Sequence, residues 1–211
     1  MKVVICANGY GTRWNNFMGV PKHLLKIDGE PLLHRTVRLL KKFGASEIII
    51  SSSKPEYEVE GAERITPKRN TWLIDQYPLE LINEPITFLL GDVYFSENTI
   101  KTILTEEPER FAFFHTVNAS NGREEEVAIK IVDYKAFSQA IREYRKDLFN
   151  GIGKDLGGRE LRMKLCGHPY RDHHAGVPDF VVKLPPDETA DFDWPEDYNR
   201  WMNEFRNQEQ E

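Results

Sequence analysis

The chain has 211 residues, of which 40% are hydrophobic and 11% aromatic, and a formal net charge of -6 at pH 7. This composition is that of a globular protein with a core and excludes a disordered chain, while the acidic balance disfavours nucleic-acid binding. No apolar run approaches the roughly 18–20 residues of a membrane span, and the run at residues 3–7 is too short for a signal peptide. We therefore expect one domain over residues 1–211, in the cytoplasm and without a membrane partner.

The first fifty residues predict a strand, a helix and a second strand. Residues 2–6 form a β-branched run that ends in a glycine loop. Apolar residues then recur at helical spacing between Pro31, which suits a first helical turn, and Gly44, which suits a helix end. Residues 48–50 are three isoleucines and predict the next strand. Such a unit has a right-handed crossover and parallel strands.

The rest of the chain continues this alternation of strands and helices. Residues 150–179 are rich in glycine and contain a His/Arg-rich stretch, and we expect loops there. The other patterns predict, in chain order, a helix at 72–82, a strand at 86–90, a helix capped by Ser96 that runs to about Thr105, strands at 111–116 and 127–132, a helix at 134–146, a strand at 180–184 and a helix that begins at Pro195.

A glycine-rich loop, Ala7-Asn8-Gly9-Tyr10-Gly11-Thr12-Arg13, directly follows the first strand. Glycines let the backbone approach a ligand and point its N–H groups at anionic oxygens. A dinucleotide-binding fingerprint needs a third glycine where this chain has Trp14, and a P-loop needs Gly-Lys-Ser/Thr at its second glycine. The loop fits neither pattern, and a tight turn without a ligand remains an alternative on the glycines alone.

The residues after the loop carry a family resemblance. Pro21-Lys22 follows Arg13, and residues 24–33 read Leu-Leu-Lys-Ile-Asp-Gly-Glu-Pro-Leu-Leu. Over residues 3–40 the sequence resembles the nucleotidyltransferase superfamily, which includes sugar-phosphate nucleotidyltransferases and the cytidylyltransferases of molybdenum-cofactor and isoprenoid pathways. The resemblance implies a three-layer α/β/α, Rossmann-like (GT-A-like) fold with a mixed, mainly parallel sheet.

The resemblance also implies roles for the residues of the loop. In the family this loop wraps the triphosphate and contacts the base, and an Arg and a Lys neutralise phosphate charge. Residues 1–42 hold eight Lys/Arg against two Asp/Glu, a local balance that suits a compact polyanion. We expect Arg13 and Lys22 to be catalytic and to bind the nucleotide together with Ala7, Asn8, Gly9, Tyr10, Gly11 and Thr12.

Two further positions bear on nucleotide recognition. Asn8 stands where the family usually has Gly or Ala, so the accepted base stays open. Asn70 and Thr71 stand where family members place a loop that contacts the base and ribose. We expect them to bind the nucleotide, with a plain helix N-terminus as the alternative.

Two carboxylates are candidates for a metal site. Gly91-Asp92 ends an apolar strand at the sheet edge where open α/β sheets bind ligands, and it matches the family's magnesium-binding Gly-Asp motif. The segment Asp191-Phe192-Asp193-Trp194-Pro195 resembles a motif in which the residue matching Asp193 is a second metal ligand. A helix cap is the alternative for Asp193, and Asp191, Glu196 and Asp197 are expected to be helix-dipole residues instead of ligands.

Residues 168–174 form a His/Arg-rich segment that matches no zinc pattern. Exposed polar residues are one interpretation of it. The other is an acceptor-binding loop in which Arg171 holds a phosphate through two hydrogen bonds.

Together these features predict a Mg²⁺-dependent nucleotidyltransferase that moves a nucleotide from a nucleoside triphosphate to a small phosphorylated acceptor and releases pyrophosphate. A GT-A glycosyltransferase that uses a nucleotide-sugar and a non-catalytic nucleotide-binding protein are the alternatives. Enzymes of this type are often dimers, so a homodimer is possible. The base and the acceptor stay open.

Overall fold

The computed structural model describes residues 1–119, 121–155, 157–170 and 178–207. The strands found there are β1 Lys2–Cys6, β2 Lys26–Ile27, β3 Glu30–Pro31, β4 Glu47–Ser51, β5 Glu63–Ile65, β6 Ile86–Leu90, β7 Val93–Tyr94, β8 Phe111–Val117, β9 Glu124–Ile131, β10 Val181–Lys183 and β11 Ala190–Asp191. The α-helices are α1 Leu32–Lys42, α2 Glu97–Thr105, α3 Tyr134–Phe149, α4 Gly158–Leu165 and α5 Pro195–Phe205.

Seven of these strands form one central sheet in the order β10-β8-β9-β6-β1-β4-β5. Strand β9 is antiparallel to both of its neighbours, β6 and β8, and the other neighbouring pairs are parallel. The sheet is therefore mixed and mainly parallel, which confirms the predicted class. It also directs the ends of β1, β4, β6 and β8 to one edge.

Helices cover both faces of the sheet. Alternate residues of β1 point to opposite faces, so Val3 packs in the core with Leu33 of α1, while Val4 packs in the other core with Phe137 of α3 and Leu161 of α4. All five side chains are fully buried. Burial on both faces explains why β1 is a continuous apolar run. The result is the predicted three-layer α/β/α arrangement.

Local sequence rules set several element ends. The Ser96 hydroxyl accepts a hydrogen bond from the Thr99 N–H at 3.0 Å and caps α2, as predicted. Gly44 ends α1 with a φ of 88°, a left-handed conformation that favours glycine. Pro195 begins α5 in its first turn. These three signals need no tertiary information.

Two predictions of secondary structure are wrong. The segment 72–82 is not an α-helix but two 3₁₀ turns, Leu73–Gln76 and Leu79–Leu81, separated at Pro78. Proline disfavours the α conformation of the residue before it, and Tyr77 has φ −101° and ψ 86°. The stretch 150–179 contains helix α4, which follows Gly157 at a φ of 70°. The many glycines in this stretch favour a loop prediction, although residues 158–165 form a helix.

The segment before α5 returns to the centre of the molecule. Strand β11 pairs with β7 in antiparallel fashion, with Asp191 opposite Val93 and Ala190 opposite Tyr94. Trp201 of α5 is fully buried against Tyr94 and holds this segment in place. The segment that carries β11 and the start of α5 therefore lies beside β7, which follows β6. Among the described residues, every helix is too short or too polar to span a bilayer.

Candidate active site

The ends of β1 and β6 meet at the sheet edge through a tight backbone contact. The Gly91 N–H donates to the Cys6 carbonyl at 2.9 Å. A Cβ atom at position 91 would lie 2.8 Å from that carbonyl oxygen, so only glycine fits there without displacement. This contact places Asp92, the next residue, beside the glycine-rich loop that follows β1.

Three carboxylates converge at this edge. Asp92, Asp191 and Asp193 each offer one oxygen, and these oxygens lie within 4.8 Å of one another. The pairing of β11 with β7 brings Asp191 into the cluster, and its Oδ1 is buried without a hydrogen-bond partner among the described residues. The prediction that Asp191 is a helix-dipole residue is therefore wrong, since it lies in a strand and faces the other two acids.

The helix-end role fits Asp197 better. Its Oδ2 accepts a hydrogen bond from the Trp194 N–H at 2.9 Å, which caps the first turn of α5. Asp193 lies before that turn, and its carboxylate bonds two cations instead of the helix N-terminus. The alternative of Asp193 as the helix cap therefore does not match the contacts.

Two cations from the amino-terminal region bind the acidic cluster. The Arg13 guanidinium lies 2.5 Å from Asp193 Oδ2, and the Lys22 ammonium forms an ion pair with Asp92 and lies 3.5 Å from Asp193 Oδ1. Lys22 is 8% exposed and lies on a short 3₁₀ turn, Lys22–Leu24. The structure thus brings together Arg13, Lys22, Asp92 and Asp193 as the sequence predicts.

The electrostatics of the cluster follow from this crowding. Burial raises the pKa of Asp191, and the neighbouring Asp92 carboxylate raises it further. Burial acts in the same direction on Asp92, but the charge of the Lys22 ammonium and hydrogen bonds from Lys22 and the backbone together lower the pKa of Asp92. Burial disfavours the Lys22 ammonium, yet Asp92 and Asp191 hold the pKa of Lys22 above its usual value. Three carboxylates face two cations in the cluster, so one negative charge is left without a partner when all three acids are ionised.

The glycine-rich loop is fixed at both ends. Trp14 is almost completely buried, and its indole N–H donates to the Val20 carbonyl at 3.0 Å. At the other end, the Asn8 side-chain oxygen accepts hydrogen bonds from the Ser53 N–H at 2.8 Å and the Ser53 hydroxyl at 2.9 Å. Gly11 between them has a φ of 63°, which favours glycine.

The orientation of the Asn8 amide follows from these bonds. A backbone N–H can only donate, so the Asn8 oxygen must face Ser53, and its NH₂ group points elsewhere. The Asn70 side-chain N–H donates to the backbone carbonyl of Asn8 at 3.2 Å, and the Tyr10 hydroxyl donates to the backbone carbonyl of Asn70 at 3.4 Å. Asn70 therefore lies against the loop, in agreement with the position predicted for it.

A cavity of about 400 Å³ joins these groups. Its volume is typical of a site for a small ligand. Ala7 does not line it, because this residue is fully buried and its N–H donates to the Ser51 carbonyl. The other predicted loop, cation and carboxylate positions all line the cavity, namely Asn8, Gly9, Tyr10, Gly11, Thr12, Arg13, Lys22, Asn70, Thr71, Asp92 and Asp193.

Several residues that are not predicted from the sequence also line this cavity. His23 is buried, with Nδ1 3.1 Å from the Tyr57 hydroxyl, and burial lowers its pKa to about 4, so it is neutral at pH 7. Asp155 accepts a hydrogen bond from the Leu73 N–H at 2.6 Å, and its second oxygen is buried without a partner among the described residues. The cavity is also lined by Trp72, Leu73, Gln76 and Asp191.

No sequence pattern identifies Asp155, because it lies in the glycine-rich stretch and reaches the cavity only through tertiary contacts. His23, by contrast, directly follows Lys22 in the Pro21-Lys22 motif, so its position could have been predicted from the sequence. Arg171, the predicted acceptor-binding residue, lies outside the described residues.

A glycine loop, two cations and three carboxylates at the edge of a mixed α/β sheet are the features of a nucleotidyltransferase. The sequence agrees: residues 3–148 match the MobA-like NTP transferase domain, and the chain belongs to that family. A comparison with curated protein sequences gave no match.

Solved structures of similar fold cover nearly the whole chain. The CTP:phosphocholine cytidylyltransferase of Streptococcus pneumoniae aligns with a TM-score of 0.63 and 17% identity over 97% of this chain and 99% of that one. The inositol-1-phosphate CTP transferase of T. maritima gives 0.63 and 14% over 98% and 96%. The UDP-glucose pyrophosphorylase of Acinetobacter baumanii gives 0.61 and 11% over 98% and 94%. At these identities the likeness shows the shared fold alone.

Proposed function

We propose that this protein transfers a nucleoside monophosphate from a nucleoside triphosphate to a small phosphorylated acceptor, a sugar phosphate or a similar compound, and releases pyrophosphate. One observation carries the proposal: the side chains of Arg13, Lys22, Asp92, Asp191 and Asp193 come from distant parts of the chain and meet in one cavity. This combination of cations and acids suits a triphosphate together with a divalent cation.

The donor set fits Mg²⁺. This ion prefers oxygen ligands and is usually held by one or two carboxylates together with substrate phosphates. The unpartnered, buried Asp191 Oδ1 is an oxygen that a cation would satisfy. We therefore assign Asp92 and Asp193 as the metal ligands, and we add Asp191 as a third carboxylate of the site. Bound there, the ion would offset charge on the reacting phosphates.

The protein's own groups then have distinct tasks. The backbone of residues 9–12 binds the phosphates, and Asn8, Asn70 and Thr71, which line the cavity, contact the base and ribose. An acceptor phosphate oxygen forms a bond to the α-phosphorus, and the bond from that phosphorus to the bridging oxygen breaks. The electron pair leaves with pyrophosphate, whose charge Arg13 and Lys22 stabilise.

The family and the similar structures support this class of reaction. The family match favours a triphosphate donor over the nucleotide-sugar that a GT-A glycosyltransferase would use. The similar structures include enzymes named for phosphocholine and inositol 1-phosphate, which are both small phosphate esters. We infer an acceptor of the same general kind.

Pyrophosphate release tests the proposal. Each of ATP, GTP, CTP and UTP is combined with a panel of phosphorylated small molecules and Mg²⁺. We expect release that needs one triphosphate and one acceptor together. Asp92→Asn should lower kcat on the order of 10²–10³-fold, because a charge that acts on the transition state is lost.

Asp179→Asn is the matched control, since Asp179 is exposed and does not line the cavity. Its activity should equal that of the wild type. An Asp92→Asn variant with full activity would refute the assignment.

A further inference from the structure

A second cavity, of about 650 Å³, lies between helix α3 and the turns at residues 72–80. Trp72 lines both this cavity and the candidate active site. None of the five charged residues of the active site lines it, so it is not an extension of the metal site. It is lined by Lys68, Arg69, Trp72, Asp75, Tyr77, Pro78, Leu79, Glu80, Arg142, Arg145, Lys146 and Phe149.

The charge of this cavity is strongly positive. Five cations face two acids, in a protein whose net charge is -6. One cation is neutralised: the Arg145 guanidinium lies 2.6 Å from the Asp75 carboxylate, and both side chains are largely buried. The remaining four, Lys68, Arg69, Arg142 and Lys146, form no side-chain hydrogen bond or ion pair within the described part of the chain. Such an excess attracts an anion.

The shape and lining favour a small ligand over a macromolecule. The volume lies in the usual range for small-molecule sites, and the protein outside this patch is acidic, which disfavours an extended nucleic-acid contact. Trp72 and Phe149 supply aromatic surface, with Phe149 81% exposed. Cations that surround aromatic rings suit a ligand with charged phosphates, with or without a flat ring attached.

Asp75 links this cavity to the active site. One of its oxygens pairs with Arg145, and the other accepts hydrogen bonds from the Thr71 N–H at 2.8 Å and the Trp72 N–H at 3.1 Å. The Arg145 guanidinium also lies 5.5 Å from the Trp72 ring centre. An anion bound beside Arg145 would therefore compete with Asp75, whose other oxygen holds the turn that carries Thr71 and Trp72.

We propose that this cavity is a second ligand site, separate from the active site, for a small anion that carries a diphosphate group. Inorganic pyrophosphate and a nucleoside diphosphate share this chemistry. The proposal does not rest on the proposed nucleotidyl transfer, because the cations of this cavity do not line the active site and ligand binding to it can be measured without turnover.

The test measures pyrophosphate and UDP binding by calorimetry in 150 mM salt without divalent ions. The protein carries Arg13→Ala and Lys22→Ala, which remove the cations of the active site. We expect one binding event to remain, and adding Arg142→Glu and Lys146→Glu should weaken it at least tenfold. Tighter binding of UDP than of pyrophosphate identifies a nucleotide as the ligand, and equal binding identifies the diphosphate group alone.

The matched control replaces Lys101 and Lys135 by Glu, because both are exposed lysines outside the cavity and the change in net charge is the same. This control should bind like its parent. Absence of binding in the Arg13→Ala/Lys22→Ala protein, or equal weakening in the control, would overturn the proposal. Retained melting temperatures in all variants establish that they fold.

Discussion

The substitution Asp191→Asn tests whether the acidic cluster binds a divalent cation. Asp191 Oδ1 is buried without a hydrogen bond within the described residues, and the carboxylates of Asp92 and Asp193 lie beside it. Asn has nearly the same shape, carries no charge, and offers an NH₂ group that can donate to either neighbour. Without divalent ions, we therefore expect Asp191→Asn to make the protein more stable.

The magnitude follows from the cost of an unsatisfied buried group, about 1–3 kcal/mol. For a chain of this size each kcal/mol raises the melting temperature by roughly 2–4 °C. The pH dependence has a definite sign. Because burial and Asp92 raise the pKa of Asp191, the folded protein retains a proton that the unfolded chain releases above about pH 3.8. Wild-type stability therefore falls as pH rises through the folded-state pKa, and the advantage of Asp191→Asn grows.

The assay is urea unfolding at pH 6 and pH 8, with EDTA and with Mg²⁺. The wild type should gain stability from Mg²⁺, and Asp191→Asn should gain much less, because ligand binding stabilises only a protein that retains the site. Asp179→Asn, an exposed change, should match the wild type throughout. An Asp191→Asn protein less stable than the wild type at pH 8 in EDTA would refute the reasoning.

Three further predictions follow from individual contacts. Gly91→Ala forces a Cβ atom to 2.8 Å from the Cys6 carbonyl, and we expect a loss of about 1–3 kcal/mol in urea unfolding; an unchanged stability would contradict the close approach. Burial lowers the pKa of His23 to about 4, so between pH 6.5 and 4 the unfolded chain binds a proton that the folded protein does not. The free energy of unfolding should therefore decrease by about 3 kcal/mol as the pH is lowered from 6.5 to 4. His23→Asn should remove that part of the pH dependence, and an identical slope would count against it. Asn8→Asp keeps an acceptor for Ser53 but replaces the outward N–H donor by oxygen. Asn8→Asp should change kcat/KM for the preferred triphosphate roughly 5- to 150-fold, which corresponds to about 1–3 kcal/mol. The control variant Ser53→Ala should change kcat/KM little. If Asn8→Asp leaves the ranking of the four triphosphates unchanged, Asn8 does not contact the base.

The predictable parts of the fold are those fixed by local chemistry. The serine cap at Ser96, the proline at the start of α5 and the isoleucines of β4 each specify their element within a few residues. The helix predicted at 72–82 does not form, because its apolar residues have helical spacing but Pro78 interrupts the segment. Strand β9 begins at Glu124, three residues before the predicted start, because its charged end is held by pairing with Val117 of β8.

The predictable parts of the site are those within one motif. Arg13 and Lys22 follow the first strand in a dense pattern, and Gly91-Asp92 ends an apolar strand. Asp191 differs, because its place in the cluster depends on the pairing of β11 with β7. Asp155 likewise reaches the cavity only through the contact of its loop with Leu73. Contacts of this kind follow from tertiary structure and leave no periodic signal in the sequence.

The most direct test of the central claim is pyrophosphate formation by the wild-type protein with Mg²⁺, the four triphosphates and the acceptor panel, before and after addition of EDTA. The convergence of Arg13 and Lys22 with three carboxylates predicts release that requires a triphosphate, an acceptor and the divalent ion together. Release that continues undiminished in EDTA, or in the Asp92→Asn variant, would contradict the account.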